Sequence, residues 1–156
     1  MITATVLIVD DEEYVRSALR RSLRKSGHTL LFAESGAEAL AVLQRGPVDV
    51  VISDHLMPGM TGLQLLRQVR QVKPYAGRIM LTGHADLETA LESIRIGDID
   101  RFLTKPWDDV DLRVALDMAA EKAQAEAENR RLLAALRAPV PAGCGGAGCG
   151  EGPAGR

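Results

Sequence analysis

The sequence predicts an α/β fold, in which helices cover both faces of a doubly wound, five-stranded parallel sheet. Short apolar runs rich in β-branched residues alternate with amphipathic segments of helix length. The apolar runs are hydrophobic on both faces, as strands are when helices cover a sheet on both sides. Five such β-α units in succession imply a parallel sheet with right-handed crossovers.

The predicted strands and helices alternate strictly along the chain. Strands are expected at residues 6–9, 29–33, 48–53, 79–82 and 101–104. Helices are expected at about residues 12–26, 36–45, 61–73 and 87–96, and a last helix begins near residue 108. Asp86 and Asp108 are the expected N-caps, because their side chains can accept hydrogen bonds from a helix's first backbone amides. Gly27 and Gly97 lie where the first and fourth helices should end, and Pro74 ends the third.

The 156 residues suffice for one ordinary domain and a modest extension. We expect the globular domain at residues 1–120, a helical extension at 121–138 and a Gly- and Pro-rich tail at 139–156. The tail has almost nothing to bury and is predicted to be disordered. Its Cys144 and Cys149 cannot staple the core, and the four ligands of a structural zinc site are not nearby.

The last helix is longer than the sheet requires, since no Gly or Pro occurs between residues 108 and 138. A weak heptad seam with a polar middle is formed by Ala115, Met118, Lys122, Ala125, Asn129, Leu132 and Leu136. Such a seam can pair two helices, and a polar Asn within it can set their register. A homodimer through the C-terminal helix is therefore a hypothesis.

Composition disfavours several classes of function. The net charge of −2 provides no overall basic footprint, so direct nucleic-acid binding is not expected. A basic group on the first helix (Arg16, Arg20, Arg21, Arg24 and Lys25) is predicted to be a solvated face. No apolar run approaches the roughly 18 residues that span a bilayer. The N-terminus does not resemble a signal peptide, so no membrane association and a cytoplasmic location are expected.

Polar residues follow four of the five predicted strands at the point where each strand ends. Asp10 and Asp11 follow the first, Asp54 the third, Thr82 the fourth and Lys105 the fifth. The carboxyl ends of parallel strands meet at one edge of the sheet, where ligands bind. The sequence therefore predicts three carboxylates, a hydroxyl and an ammonium around one cleft.

The charges at this cleft indicate phosphoryl chemistry. Three adjacent carboxylates repel one another unless a cation neutralises them. Oxygen ligands of this kind suit Mg²⁺, which is usually held by one or two carboxylates together with phosphate oxygens. A metal, an ammonium and a hydroxyl around the third carboxylate can stabilise a phosphoryl group that passes to its oxygen.

Four separated motifs occur in order: "LIVDDEE", "VVISDHLMPGMTG", "IMLTGHAD" and "RFLTKPWDD". With them the chain resembles, over about residues 5–120, the receiver domain of two-component response regulators. These motifs resemble those of receivers attached to phosphodiesterase or transcriptional output domains more than those of receivers of the chemotaxis type. The resemblance implies a flavodoxin-like sheet in the order 2-1-3-4-5.

The resemblance also assigns roles at the cleft. Asp54 would be the phosphoacceptor for a sensor histidine kinase or phosphotransfer protein. Asp11 would coordinate Mg²⁺ directly and Asp10 mostly through water, with Asp54 and the backbone carbonyl of Leu56 as further ligands. Lys105 would pair with Asp54 before phosphorylation and with a phosphoryl oxygen afterwards.

Two further residues would carry the switch. Thr82 would move inward to bond the phosphoryl group, and Phe102 would rotate in behind it. The fourth helix, fifth strand and fifth helix would then present the signal to a downstream effector in trans. In the family the peptide bond between Lys105 and Pro106 is usually cis.

Two other functions remain open. An aspartate-nucleophile phosphatase would need a second acid two residues after its nucleophile, where this chain has Leu56. Without that acid an aspartyl phosphate should persist, which suits a signal better than an enzyme. A phosphorylation-independent dimeric scaffold built on the long helix would not need the acids, the threonine and the lysine. We therefore expect a signalling domain, not an enzyme, which acts without an attached output domain.

Overall fold

The computed structural model describes residues 3–137, in which five parallel strands form one sheet in the order β2-β1-β3-β4-β5. The strands are β1 (Thr5–Val9), β2 (Thr29–Ala33), β3 (Val50–Asp54), β4 (Gly77–Thr82) and β5 (Arg101–Thr104). The helices are α1 (Glu13–Leu23), α2 (Gly36–Arg45), α3 (Gly62–Val72), α4 (Leu87–Arg95) and α5 (Asp109–Arg137). The predicted fold class and strand order are confirmed.

Two apolar layers hold the sheet between its helices. Successive side chains along a strand point to opposite faces, so Ile8 and Ile52 pack against α1 and α5. Leu7 and Val51 point the other way and pack against α2, α3 and α4. All four of these side chains are fully buried. The inner strands β1 and β3 are therefore mainly apolar because helices remove both of their faces from water.

Helix ends follow local chemistry, with one correction. Asp108 accepts hydrogen bonds from the amides of Val110 and Asp111 at 2.8 and 3.1 Å, as predicted for an N-cap. Asp86 was also predicted to cap a helix, but its side chain makes no capping hydrogen bond. A 3₁₀ turn (His84–Asp86) leads directly into α4, so Asp86 lacks the extended backbone that a capping residue normally adopts.

Contacts divide the chain into a compact unit that ends at Glu126 and a second unit that begins at Ala127. In the compact unit, Ala115 packs into the core with only 4% of its surface exposed. Its predicted place in a heptad seam is therefore wrong, because the sheet already covers it. In the second unit Leu132 and Leu136 are exposed.

Residues 138–156, with the predicted tail and both cysteines, lie outside the described residues. No helix within residues 3–137 is both long and apolar enough to cross a membrane.

A buried arginine joins β4 to the end of α4. Arg78 is only 7% exposed, and its guanidinium donates hydrogen bonds to the backbone carbonyls of Asp98 and Gly97 at 2.9 and 3.2 Å. The Asp98 carboxylate in turn accepts hydrogen bonds from Arg67 and Arg70 of α3. These contacts fix the loop that follows α4 to two neighbouring elements.

The start of α3 lies directly against the end of β3. The amide of Gly62 donates a hydrogen bond to the carbonyl of His55 at 2.8 Å. A Cβ atom added at Gly62 would come within 2.1 Å of the Asp54 carbonyl oxygen. Only glycine permits this approach without moving the strand end.

We predict that Gly62→Ala lowers the free energy of unfolding by about 1–3 kcal/mol, the usual cost of forcing extra atoms into packed structure. Urea denaturation measures it. The matched control is Gly46→Ala, because an added Cβ at Gly46 meets no atom within 4 Å. Equal unfolding midpoints for the two variants would contradict the prediction.

Candidate functional site

The predicted polar residues converge at the carboxyl edge of the sheet. Asp10 directly follows β1, while Asp54 and Thr82 are the last residues of β3 and β4. Asp10, Asp11 and Asp54 each place a carboxylate oxygen within 4.8 Å of the other two. The parallel strands bring these groups together because β1 pairs with β3, and β3 pairs with β4.

Lys105 reaches the acids from β5. Its ammonium Nζ lies 2.8 Å from Oδ1 of Asp54 and 3.2 Å from Oδ2 of Asp10. The Lys105 amide donates to the carbonyl of Thr82 at 2.9 Å, which holds the residue beside the end of β4. The bond between Lys105 and Pro106 is cis. The lysine therefore joins two of the three carboxylates.

One ammonium does not balance three acids. Burial raises the pKa of Asp54 above its ordinary value, and the charges of Asp10 and Asp11 raise it further, although Lys105 acts in the opposite direction. Burial lowers the pKa of Lys105, but the hydrogen bond and charge of Asp54, with Asp10, outweigh it, so this pKa is raised. The charge of Asp54 is thus incompletely compensated by the protein, and the site fits an added cation.

The three carboxylates differ in what else they bind. Asp10 is fully buried, and its Oδ1 accepts the amide of Glu12 at 2.9 Å while its Oδ2 accepts Lys105. Asp11 is exposed. Both oxygens of Asp10 are therefore engaged, whereas Lys105 contacts Asp54 through Oδ1. The assignment of individual acids as metal ligands stays a prediction. Leu56 has an exposed side chain, and the role of its carbonyl as a ligand stays a prediction.

The two predicted switch residues lie on neighbouring strands. Thr82 is fully buried, and its hydroxyl donates a hydrogen bond to the carbonyl of Gly83 at 3.2 Å. Phe102 is half-buried, pairs with Met80 in the sheet register and packs against the core beneath α2, α3 and α4. Thr82 pairs with Thr104, the residue before Lys105, whereas Phe102 lies three residues before Lys105 on β5. The movement of both side chains stays a prediction.

Sequence reasoning missed two residues that support the acids. Arg16, predicted to lie on a solvated face, donates from a guanidinium nitrogen to the backbone carbonyl of Asp10 at 2.7 Å. Ser53 is buried, and its hydroxyl donates to the carbonyl of Asp54 at 2.9 Å. Arg16 lies on the helix that starts just after the acid pair, and this closeness in sequence was the only indication that it contacts Asp10. Nothing in the sequence singled out Ser53.

The chain matches known proteins over its globular part. A family model described as the response regulator receiver domain matches residues 6–117. The chain is 36% identical over 138 residues to the hydrogenase transcriptional regulatory protein HoxA of Cupriavidus necator, covering 88% of this chain and 28% of HoxA. It is 42% identical over 111 residues to the DNA-binding transcriptional regulator NtrC of Escherichia coli, covering 71% of this chain and 23% of NtrC.

A solved structure gives the same match. The signal receiver domain of an HD domain-containing protein from Pseudomonas fluorescens superposes with a TM-score of 0.75 and 39% identity. The match covers 80% of this chain and 92% of that domain. By contrast, the chain spans only 28% and 23% of the lengths of HoxA and NtrC.

The raised pKa of Asp54 makes a prediction about stability. A carboxyl whose folded pKa exceeds its unfolded value contributes stability below the unfolded pKa, which is near 3.8, and loses it as pH rises through the folded pKa. Without divalent cations, Asp54→Asn should therefore be more stable than the wild type at pH 7. The difference should shrink as pH falls toward 4.

Urea denaturation across this pH range measures the effect. The control is Asp111→Asn, which removes the same charge from an exposed position on α5 and should give no gain in stability. A wild type that is at least as stable as Asp54→Asn at pH 7 would contradict the prediction.

Proposed function

The chain belongs to the response regulator receiver domain family, and on that basis we propose that it is a phosphoacceptor switch whose acceptor is Asp54. The donor is a phosphohistidine on a sensor histidine kinase or a phosphotransfer protein. The observation that carries the proposal is the contact of Lys105 with Asp54 at 2.8 Å, within a group of three converging carboxylates.

The transfer is a displacement at phosphorus. An oxygen of the Asp54 carboxylate attacks, the bond between phosphorus and the donor nitrogen breaks, and that nitrogen keeps the electron pair. The product is an acyl phosphate on Asp54. The ammonium of Lys105 then moves from the carboxylate to a phosphoryl oxygen, a short step because its Nζ already lies between Asp54 and Asp10.

The acids fit Mg²⁺, since carboxylate and carbonyl oxygens are the ligands that this ion prefers. Asp11, Asp54 and the Leu56 carbonyl would hold it directly and Asp10 largely through water, which agrees with the engagement of both Asp10 oxygens. When bound, Mg²⁺ supplies positive charge that neutralises phosphoryl oxygens.

The output begins at Thr82. Its hydroxyl now donates to Gly83 and would turn to donate to the phosphoryl group, after which Phe102 follows into the space behind it. The surface of α4, β5 and α5 would carry this change to an effector in trans. Exposed apolar side chains on that surface, such as Leu91 and Val114, support a protein partner.

We propose that the domain assists only its own phosphorylation and dephosphorylation. Leu56 stands where an aspartate-nucleophile phosphatase needs a second acid. Its apolar side chain provides no proton for hydrolysis of the acyl phosphate. The phosphorylated state should therefore persist long enough to act as a signal.

A second proposal concerns the helical segment 127–137. Leu132 and Leu136 are exposed there at 54% and 82% and keep the spacing of a heptad seam. Exposed leucines of this kind favour pairing with a second copy, either in the phosphorylated switch or in a phosphorylation-independent scaffold.

Incubation with acetyl phosphate and Mg²⁺ should add about 80 Da, one phosphoryl group, to the intact mass of the wild type. Asp54→Asn should gain nothing, because the nucleophile is gone. Omission of Mg²⁺ should remove most of the gain in the wild type.

The matched control is Asp86→Asn, which alters an aspartate outside the acid cluster and should be phosphorylated normally. A gain that survives in Asp54→Asn would assign the acceptor to another residue. No gain in the wild type would make the dimeric scaffold the better account.

Pairing through the helix predicts that the double change of Leu132 and Leu136 to Glu yields a monomer where the wild type is a dimer. Charged side chains on the seam would have to be buried, which is costly. Light scattering during size-exclusion chromatography, with and without acetyl phosphate, measures the mass.

Leu133→Glu is the control, since Leu133 is exposed beside the seam but not on it. Equal masses for the wild type and the double variant would overturn the pairing. A dimer that forms without acetyl phosphate and without Asp54 would favour the scaffold.

A further inference from the structure

A short chain of hydrogen bonds links α1 to the loop that carries Lys105. The indole N–H of Trp107 donates to the hydroxyl of Ser22 at 3.2 Å. The same hydroxyl donates to Oδ1 of Asp109 at 2.7 Å. Ser22 thus uses its hydroxyl both as acceptor and as donor, and it ties α1 to the residues on either side of the start of α5.

The Trp107 ring is fixed by packing as well as by this bond. It is half-buried and packs against the core layer under α1 and α5. A partly buried indole N–H needs a partner, and Ser22 is the one that the structure gives it. The loop of residues 105–108 is therefore anchored to α1 at its third residue.

The anchor matters because a lysine side chain is too flexible to fix the position of its own ammonium. Its ammonium sits on a flexible four-carbon stem, so its position depends on where the backbone holds the residue. The Lys105 backbone is held on one side by its bond to the Thr82 carbonyl. On the other side it is held by Trp107, two residues further along the chain.

We infer that Ser22 and Trp107 are positioning residues for Lys105, and that their hydrogen bond sets the rate at which Asp54 is phosphorylated. The inference rests on the proposed function of Asp54 and deepens it. Neither residue touches the reacting atoms. They act by keeping the ammonium within bonding distance of Asp54, where a small misplacement is costly to the reaction.

The test compares full-length wild type with Ser22→Ala, and with Ser17→Ala as the matched control. Ser17 lies on the same helix but outside the hydrogen bonds to Trp107 and Asp109. Phosphorylation by acetyl phosphate at saturating Mg²⁺ is followed by intact mass. Ser22→Ala should slow it by about tenfold, as expected for a misplaced catalytic group, while Ser17→Ala should not change it.

A second readout separates positioning from a general loss of structure. Trp107 is the single tryptophan in the chain, so tryptophan fluorescence reports on the loop itself. Ser22→Ala should shift its emission to longer wavelength. The Mg²⁺ concentration at half-saturation should stay within twofold of the wild type, because the carboxylates are untouched. Ser22→Thr, which keeps a hydroxyl, should recover most of the rate.

Trp107→Phe gives an independent variant if Ser22→Ala does not fold. It keeps an aromatic ring at this position and removes the N–H donor, and it should slow phosphorylation to the same extent. A wild-type rate in folded Ser22→Ala or Trp107→Phe would overturn the inference while leaving Asp54 as the acceptor. A wild type that takes up no phosphoryl group would overturn the proposed function and this inference together.

Discussion

The ion pair between Lys105 and Asp54 joins two strand ends that are not neighbours, since β4 lies between β3 and β5 in the sheet. The lysine must therefore pass over the end of β4, where Thr82 is the last residue. The carboxylate, the hydroxyl and the ammonium are consequently held in one row by the sheet itself. The close approach of Gly62 to the Asp54 carbonyl turns the chain away and leaves this row open to a ligand.

The same ion pair explains why the acids tolerate one another. Three carboxylates at one sheet edge would oppose folding by mutual repulsion, which Lys105 offsets only in part. Burial first, and then the charges of Asp10 and Asp11, raise the pKa of Asp54 although Lys105 acts to lower it. The site thus keeps a net negative charge that Lys105 does not neutralise. A protein built only for stability would have filled this position with apolar or neutral groups, so the residual charge is best understood as a cost of function.

Patterns along the chain were sufficient to predict the strands of the sheet and the residues that form the site. Apolar runs marked every strand, and the residues just beyond them converged because parallel strands end at one edge. Contacts between distant side chains were not predictable in this way. Arg16 has the same sequence context as the solvated basic residues of α1, and the strand pattern does not indicate that Arg78 binds a carbonyl distant in sequence. Ala115 also fits a heptad, because sequence spacing does not show that the sheet covers it.

The two ends of α4 are held very differently. Its C-terminal end leads to Gly97 and Asp98, whose carbonyls are bound by the buried Arg78. Its N-terminal end emerges from a 3₁₀ turn and has no side-chain cap. A displacement of α4 would therefore be larger at its uncapped N-terminal end, five residues after Thr82, than at its C-terminal end, which Arg78 holds in place. A change at Thr82 would thus act near the less firmly held end of the helix.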